Sequence, residues 1–295
     1  MLPDLDSLVL FVKAAEFRSL TRASEACHIG LAAASRRITL LEHRVKCVLF
    51  ERSPKGVELT PAGVTLLAHV KILLIQLNQM QADMDDHAVG RKGQLRVLAN
   101  TSAMTQFVPL DLEHFSRTNP NVVLKVEERW SAQIISAVLG GEADLGIVLE
   151  GHSTQGLEVF EYRTDHVAVV VPNGHPLLLL DIVNFSDVLD YDLVGLESGS
   201  SLMRLLTERA VNLGKGLRLR VQVRGFDVVC RMVQSGMGIG LLPFQAASLF
   251  SGGMGVTARA LSDAWAERRM LICVKKDRPP NVSLDRLLVA LTTMS

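Results

Sequence analysis

The stretch that reads SLTRASEACHIGLAAASRRITLLEHRVKCVLFER and ends at Arg52 constrains this chain more than any other. Ser19 or Thr21 is placed to cap a first short helix whose apolar side is Ala23, Ala26 and Cys27. His28-Ile29-Gly30 reads as a corner, with Gly30 supplying the left-handed or cap geometry that a sharp turn needs. A second helix follows from about Leu31 to Arg44, because Leu31, Ala34, Ile38 and Leu41 recur on one helical face. Its opposite face carries Ser35, Arg36, Thr39 and His43. Two short helices around a tight corner, the second polar and basic outside, form the shape that enters a major groove.

Charge sharpens that reading. A helical pair with a glycine corner also occurs in domains that bind nothing, so the pattern alone leaves the question open. From Lys13 to Lys55, however, nine Lys or Arg stand against four Glu, whereas the whole chain is balanced at 31 against 31. Basic charge gathered at one end is the footprint of phosphate contact.

The runs Ala23-Ser24-Glu25-Ala26, Ala34-Ser35-Arg36-Arg37-Ile38, Leu41-Glu42, Leu49-Phe50-Glu51-Arg52 and Leu59-Thr60-Pro61-Ala62-Gly63 resemble the N-terminal motif of LysR-type transcriptional regulators. The match covers about the first 65 residues, with its parts in order. The resemblance implies an α/β architecture: a winged helix-turn-helix, a long linker helix and a two-lobed, periplasmic-binding-protein-like effector domain. It implies a homodimer or homotetramer that binds duplex DNA and answers to a small-molecule effector. It places Ala33, Ser35, Arg36 and Arg37 on the recognition helix, Ser35 and Arg36 foremost at the groove, and Thr21 or Arg22 at the DNA backbone. Two positions depart from the family pattern. Gly30-Leu31 stands where a Ser-Gln type of pair is usual, removing a cap and a base-reading group. Lys46 stands where glycine usually ends the recognition helix, so a left-handed Lys46 would carry roughly 1 kcal/mol of strain.

Leu49 to Leu59 reads as two short strands around Ser53-Pro54-Lys55-Gly56, a wing with Arg52 and Lys55 near its tip in reach of phosphates. Thr60 as N-cap and Pro61 at the first helical position then open a long helix to about His87. Leu67, Val70, Leu74, Leu77, Gln81 and Met84 alternate at three and four residues, the seam of a coiled coil and so a dimerisation stripe. The expected organisation is a DNA-binding domain at 1–60, a linker helix at 61–89, a hinge at 90–93 and an effector domain at 94–295. Within the last, lobe I takes about 94–164 and 269–295, and lobe II about 165–268.

Beyond Gln94 short apolar runs alternate with helices. Leu95–Ala99, Val122–Val126, Leu145–Leu149, Ala168–Val171, Leu193–Leu196, Leu217–Val223, Ile239–Pro243 and Met270–Val274 read as strands. Thr105–Arg117, Ala132–Gly140, Ser201–Asn212 and Asp227–Ser235 read as helices, giving a mostly parallel sheet covered on both faces. Ligands in such sheets lie beyond the carboxyl ends of strands, beside helix N-termini. Three loops qualify: Asn100-Thr101-Ser102, Trp130-Ser131, and Glu197 to Ser201 with Ser198, Gly199 and Ser200. Their hydroxyls and free amides suit a carboxylate or another small anion. Phe226 and Asp227 extend the wall, Asp227 reading first as an N-cap, and Arg204 and Arg231 would add positive charge if they face inward.

Other chemistries find little support. Gly236, Gly238 and Gly240 hint at a dinucleotide fingerprint, but position 241 is Leu and the run follows a helix. Cys27, Cys47, Cys230 and Cys273 show no metal spacing, so reduced thiols are expected. Cys230 and Cys273 remain a redox pair only if they meet in space. No cofactor, metal or catalytic constellation is expected, which sets aside an enzyme on the C-terminal fold. The acidic start Met-Leu-Pro-Asp-Leu-Asp and the short apolar runs suggest neither a signal peptide nor a membrane span, hence a cytoplasmic regulator. A transported solute-binding protein would have no use for the basic N-terminal helices.

Overall fold

Asp4 starts the first helix, α1 (Leu5–Phe17), by accepting the Ser7 amide at 2.9 Å. Leu10, Phe11 and Ala14 lie on its inner side and are fully buried. Then come α2 (Leu20–Ala26) and α3 (Leu31–Val45), packed on α1 through Ala23, Ala34, Ile38 and Leu41. The hairpin β1 (Phe50–Ser53) and β2 (Gly56–Leu59) pairs Phe50 with Leu59 and Ser53 with Gly56. α4 (Pro61–Ala88) leaves that hairpin with Thr60 as its cap, whose Oγ1 accepts the Gly63 amide at 3.0 Å and donates to the Val48 carbonyl at 2.7 Å. The computed structural model describes residues 3–53, 56–88, 93–251 and 253–293, without the side chains of 52, 53, 78, 79, 82, 83 and 85–88. They divide into two units, Met1–Asp85 and Asp86–Ser295. Residues 90–92 of the expected hinge at 90–93 and the wing-tip Lys55 lie outside the described residues, as does the side chain of Arg52.

Two expectations for the first unit change. The left-handed corner residue is His28 (φ 55°), while Gly30 is extended (φ −69°) and caps α3 with its carbonyl, which takes the Ala33 and Ala34 amides. The corner needs one residue turned, and the Ile29 amide already holds the Ser24 carbonyl at 3.0 Å. Leu31 is 47% exposed, so the buried stripe of α3 begins at Ala34. Lys46 does take the left-handed conformation (φ 56°), and the Cys47 amide closes on the Glu42 carbonyl at 3.2 Å.

The second unit begins with β3 (Gln94–Ala99), α5 (Thr101–Gln106), α6 (Val108–Thr118), β4 (Val123–Glu128), α7 (Ser131–Gly140) and β5 (Leu145–Leu149). β3 lies parallel to both β4 and β5. One helix was expected over 105–117; the structure starts it at Thr101 and breaks it at Phe107, because Pro109 has no amide to continue the ladder and suits a new first turn. β6 (Leu157–Pro172) is sixteen residues long and crosses between the lobes. After it come α8 (Phe185–Val188), β7 (Leu193–Leu196), α9 (Ser201–Asn212), β8 (Leu219–Val223), α10 (Phe226–Gln234) and β9 (Ile239–Pro243). Next are α11 (Phe244–Ser251), β10 (Val256–Ala260), the return strand β11 (Glu267–Lys275) and α12 (Val282–Thr293).

β6 and β11 make the chain two-lobed. Positions 157–166 of β6 pair with β11, and positions 167–172 pair with β9 and β10, all antiparallel. The sheet is therefore mixed rather than mostly parallel: each lobe keeps a parallel core, and the crossing strands run against it. Only Ala168–Val171 was expected of β6 and only Met270–Val274 of β11. The rest of β6 mixes polar with apolar residues, as a half-covered antiparallel strand does, and the rest of β11 is charged (Glu267, Arg268, Arg269 and Lys275), so neither stands out as an apolar run. Lobe I fills around Leu95, Val97, Phe115 and Ile147, and lobe II around Val169, Phe185, Val229 and Leu242.

Candidate DNA interface and effector cleft

α3 is fixed from three sides. Its apolar stripe sits on α1, and two of its arginines reach back to that helix: Arg37 bonds Asp6 at 3.3 Å and Arg44 bonds Asp4 at 2.9 Å. Sequence reasoning gave Glu42 no role, yet its carboxylate accepts the Leu49 and Phe50 amides at 2.8 and 3.3 Å and so ties α3 to the wing. The signal was a lone acid amid basic residues. Outside, Arg36 is exposed and makes no ion pair among the described residues, beside exposed Thr39 and half-buried Ser35 and Ala33. Ser19, not Thr21, caps α2, accepting the Arg22 amide at 3.3 Å; Thr21 is exposed and supplies its carbonyl to the Ser24 hydroxyl. Arg22 lies 4.9 Å over the Phe17 ring, a rigid stem for a charged tip. The proposed groove set is thus one unpaired arginine, one paired arginine, and small neighbours that let the backbone approach.

The dimerisation stripe divides. Val70 is 3% exposed inside the core of its own unit, with Leu67 and Leu74 packed beside it. Leu77 is half-buried and Met84 exposed, and they continue a stripe through Leu73 and Met80, one step around the helix. The same three-four alternation serves both sides, which is why spacing alone chose the inner one.

In the second unit three helix starts converge on one cleft of about 300 Å³. Asn100 caps α5, its Oδ1 accepting the Ala103 amide at 3.0 Å and its Nδ2 donating to the Ile147 carbonyl at 3.3 Å. Thr101 donates to Glu128 at 2.7 Å. Ser102 accepts a bond from Arg268 at 3.3 Å. Ser131 starts α7 and accepts the Leu149 amide at 3.2 Å, while Ser201 of lobe II donates to its hydroxyl at 3.3 Å and bridges the lobes. Ser200 caps α9 by accepting the Met203 amide at 3.0 Å, and Phe226 closes the wall. Amides in the first turn of a helix have no intrahelical acceptor, so three such turns present donors to the cleft.

Three expected residues are not among those lining the cleft: Ser198 and Asp227 are exposed, and Gly199 packs against the lining residue Trp130, where a Cβ would sit 2.2 Å from the ring. Asp227 is not the cap of α10; Gly225 is. The Glu197–Ser201 loop meets the cleft at both ends, through Glu197 and through Ser200 and Ser201, and its middle is not part of the lining. Arg231 is exposed outside it, and Arg204 turns to His152 at 3.0 Å. Glu128, Arg129 and Arg224, which sequence reasoning passed over, line the cleft together with Glu197 of the expected loop. Arg129 is held by Glu127 at 2.8 Å and Glu142 at 3.2 Å, and Arg224 by Glu197 at 2.7 Å, so both arginines of this rim are already paired. These residues end or follow parallel strands, which was the available signal.

Cys230 and Cys273 do not meet: one belongs to the lobe II core and the other to the layer beneath α7 in lobe I. Burial pushes Cys230 up to about 11 and Cys273 up to about 12, so neither forms a thiolate at neutral pH. Among the described residues no helix is long and apolar enough to cross a membrane, and no cluster of His, Cys, Asp and Glu is arranged to hold a metal ion.

A winged helix-turn-helix beside a two-lobed effector fold defines a class of bacterial regulators, and family comparison identifies it. Residues 5–64 match the bacterial regulatory helix-turn-helix protein model of the lysR family, and residues 88–294 match the LysR substrate binding domain. The chain belongs to the LysR family and is a DNA-binding transcriptional regulator with an effector-binding domain, not an enzyme. Relatives include the HTH-type transcriptional regulator YbhD of Escherichia coli K12, 25% identical over 81% of this chain and 76% of its own. CysL of Bacillus subtilis 168 is 26% identical over 80% and 79% respectively. Full-length CbnR complexed with its target DNA superposes with a TM-score of 0.74 over 99% of this chain and all of that one, at 17% identity. The Synechocystis CcmR regulatory domain, in complex with 2-PG, superposes at 0.62 over 68% of this chain and 97% of its own, at 21% identity.

Proposed function

We propose that residues 1–60 read an operator through Ser35 and Arg36, that 61–89 pair two copies, and that 94–295 sense a compact polar anion across a hinge at 90–93. The regulator works in the cytoplasm as a homodimer or homotetramer, since two recognition helices on half-sites gain affinity together. Effector closes the two lobes, and closure changes how copies pack and thus the spacing or bend of bound DNA. The observation that carries this reading is the meeting of the α5, α7 and α9 starts in one cleft that both lobes line. The 2-PG complex of CcmR and the DNA complex of CbnR supply the analogy.

The first test is binding to the DNA upstream of the protein's own gene at two salt concentrations, then with small anions added. A salt-dependent complex over two half-sites that an anion shifts is expected. Ser131→Ala is a poor probe of the cleft, because it orphans the buried Leu149 amide. Thr101→Ala removes only a bond to Glu128 and should weaken the anion response while leaving operator affinity within a few-fold. An unchanged anion response in that variant would remove the α5 loop from the site.

A further inference from the structure

Behind the cleft already described, against the start of the crossing strand β11, lies a second and larger one of about 770 Å³. It shares only Leu149 and Ser201 with the first. α9 of lobe II forms one wall, the turn after β5 in lobe I another, and the start of β11 the back. We infer that this cleft is a second ligand site, and that it takes a monocarboxylate with an apolar body, carboxylate inward.

Unsatisfied donors at the back of the cleft carry the argument. The side chain of Arg268 is 6% exposed; its Nε bonds Asp165 at 2.7 Å, yet its Nη1 is buried without a partner. Arg209 has no carboxylate partner among the described residues, its guanidinium lies 5.6 Å over Trp265, and its Nε is buried and unbonded. Arg204, exposed on the α9 wall, bonds His152 and has no carboxylate partner among the described residues. A buried donor without an acceptor costs free energy, and an entering acceptor recovers it. The acids Glu150, Glu208 and Glu267 are instead exposed at the rim and solvated, so they ask for no ligand. Glu150 is paired with Arg269 at 3.8 Å, whereas Glu208 and Glu267 have no ion pair among the described residues, and their two charges would repel a second negative group at the mouth. Leu149, Leu205 and Trp265 offer apolar surface between the basic back and the acidic rim. One negative head and an uncharged body match that order. Because both lobes contribute walls, an occupant would also bias closure independently of the first cleft.

The chain has two tryptophans, one in each cleft. In full-length Trp130→Phe protein the emission that remains is that of Trp265. Titration with 4-methylpentanoate and with phenylacetate should give a saturable change in that emission and a matching heat in calorimetry. Succinate and inorganic phosphate should give much weaker binding. Arg209→Met should weaken the monocarboxylates about tenfold or more while the melting temperature holds. Arg204→Met supplies the same comparison should Arg209→Met lose its fold. Absence of saturable binding by either monocarboxylate would overturn the proposal, as would binding undiminished in the arginine variants. Equal binding of succinate or phosphate would overturn the ligand class.

Discussion

At the scale of single residues, pairing separates side chains that the sequence made equivalent. Arg36 and Arg37 are neighbours on a basic helix, but Arg37 is held by Asp6, whereas Arg36 has no ion pair among the described residues. Arg36→Ala should therefore cost roughly 1–3 kcal/mol of operator binding if it forks a guanine, and Arg37→Ala less, as read by DNA titration. Tyr162 shows the reverse case of a group hidden from sequence reading. Its hydroxyl donates to buried Asp111 at 2.5 Å, and burial, with Asp111 adding to it, pushes the phenol well above its usual range. Tyr162→Phe should lower stability by about 1–3 kcal/mol in denaturant unfolding, because the carboxylate loses a donor it cannot replace with water. The thiols give a third test. At pH 8 the exposed Cys47 should react readily with a disulfide reagent, and Cys230 and Cys273 only on unfolding. Both buried thiols have raised values in the folded chain, so their contribution to stability is intact below about pH 9 and is lost as pH rises through about 11 to 12.

At the scale of elements, α4 does two jobs with one alternation. Val70→Ala should destabilise the N-terminal unit by roughly 1–3 kcal/mol, the cost of a cavity in its own core. Leu73→Asp, on the exposed stripe, should leave melting of that unit nearly unchanged and weaken self-association in sedimentation. The opposite pattern would return the seam to the inner face. Gly63 explains the Thr60-Pro61-Ala62-Gly63 run physically: a Cβ there would stand 2.2 Å from the Leu49 carbonyl oxygen, so only glycine lets α4 lie against the wing's root. The fold of this unit was largely legible because its helices are amphipathic and its caps local. The split of the 105–117 helix was legible too, in Pro109, although the apolar periodicity continues across it.

At the scale of the whole chain, the effector unit is organised by two strands that cross between lobes. Their joint is a buried ion pair, Asp165 on β6 with Arg268 on β11, which also touches Ser102 at the first cleft and lines the second. Asp165→Asn should cost about 3–5 kcal/mol, since it leaves Arg268 charged and buried without its partner, and calorimetric melting of the full chain would show it. A much smaller loss would mean that water reaches the pair.

By itself the sequence determined the recognition helix, the wing, the capped long helix and the alternation that builds two lobes. All of these rest on contacts within a few residues or on a repeat of three to four. It also located the loops at Asn100 to Ser102 and at Ser131, because strand ends and helix starts are local signals. Which arginines are already paired, which face of α4 is spent internally, and which residues of the Glu197–Ser201 loop line the cleft were settled by the tertiary fold. It alone brought Arg209, Trp265 and Arg268 to a second cavity. These depend on residues as much as 166 positions apart, as Arg268 and Ser102 are, and no local spacing encodes which distant backbone will arrive beside a side chain.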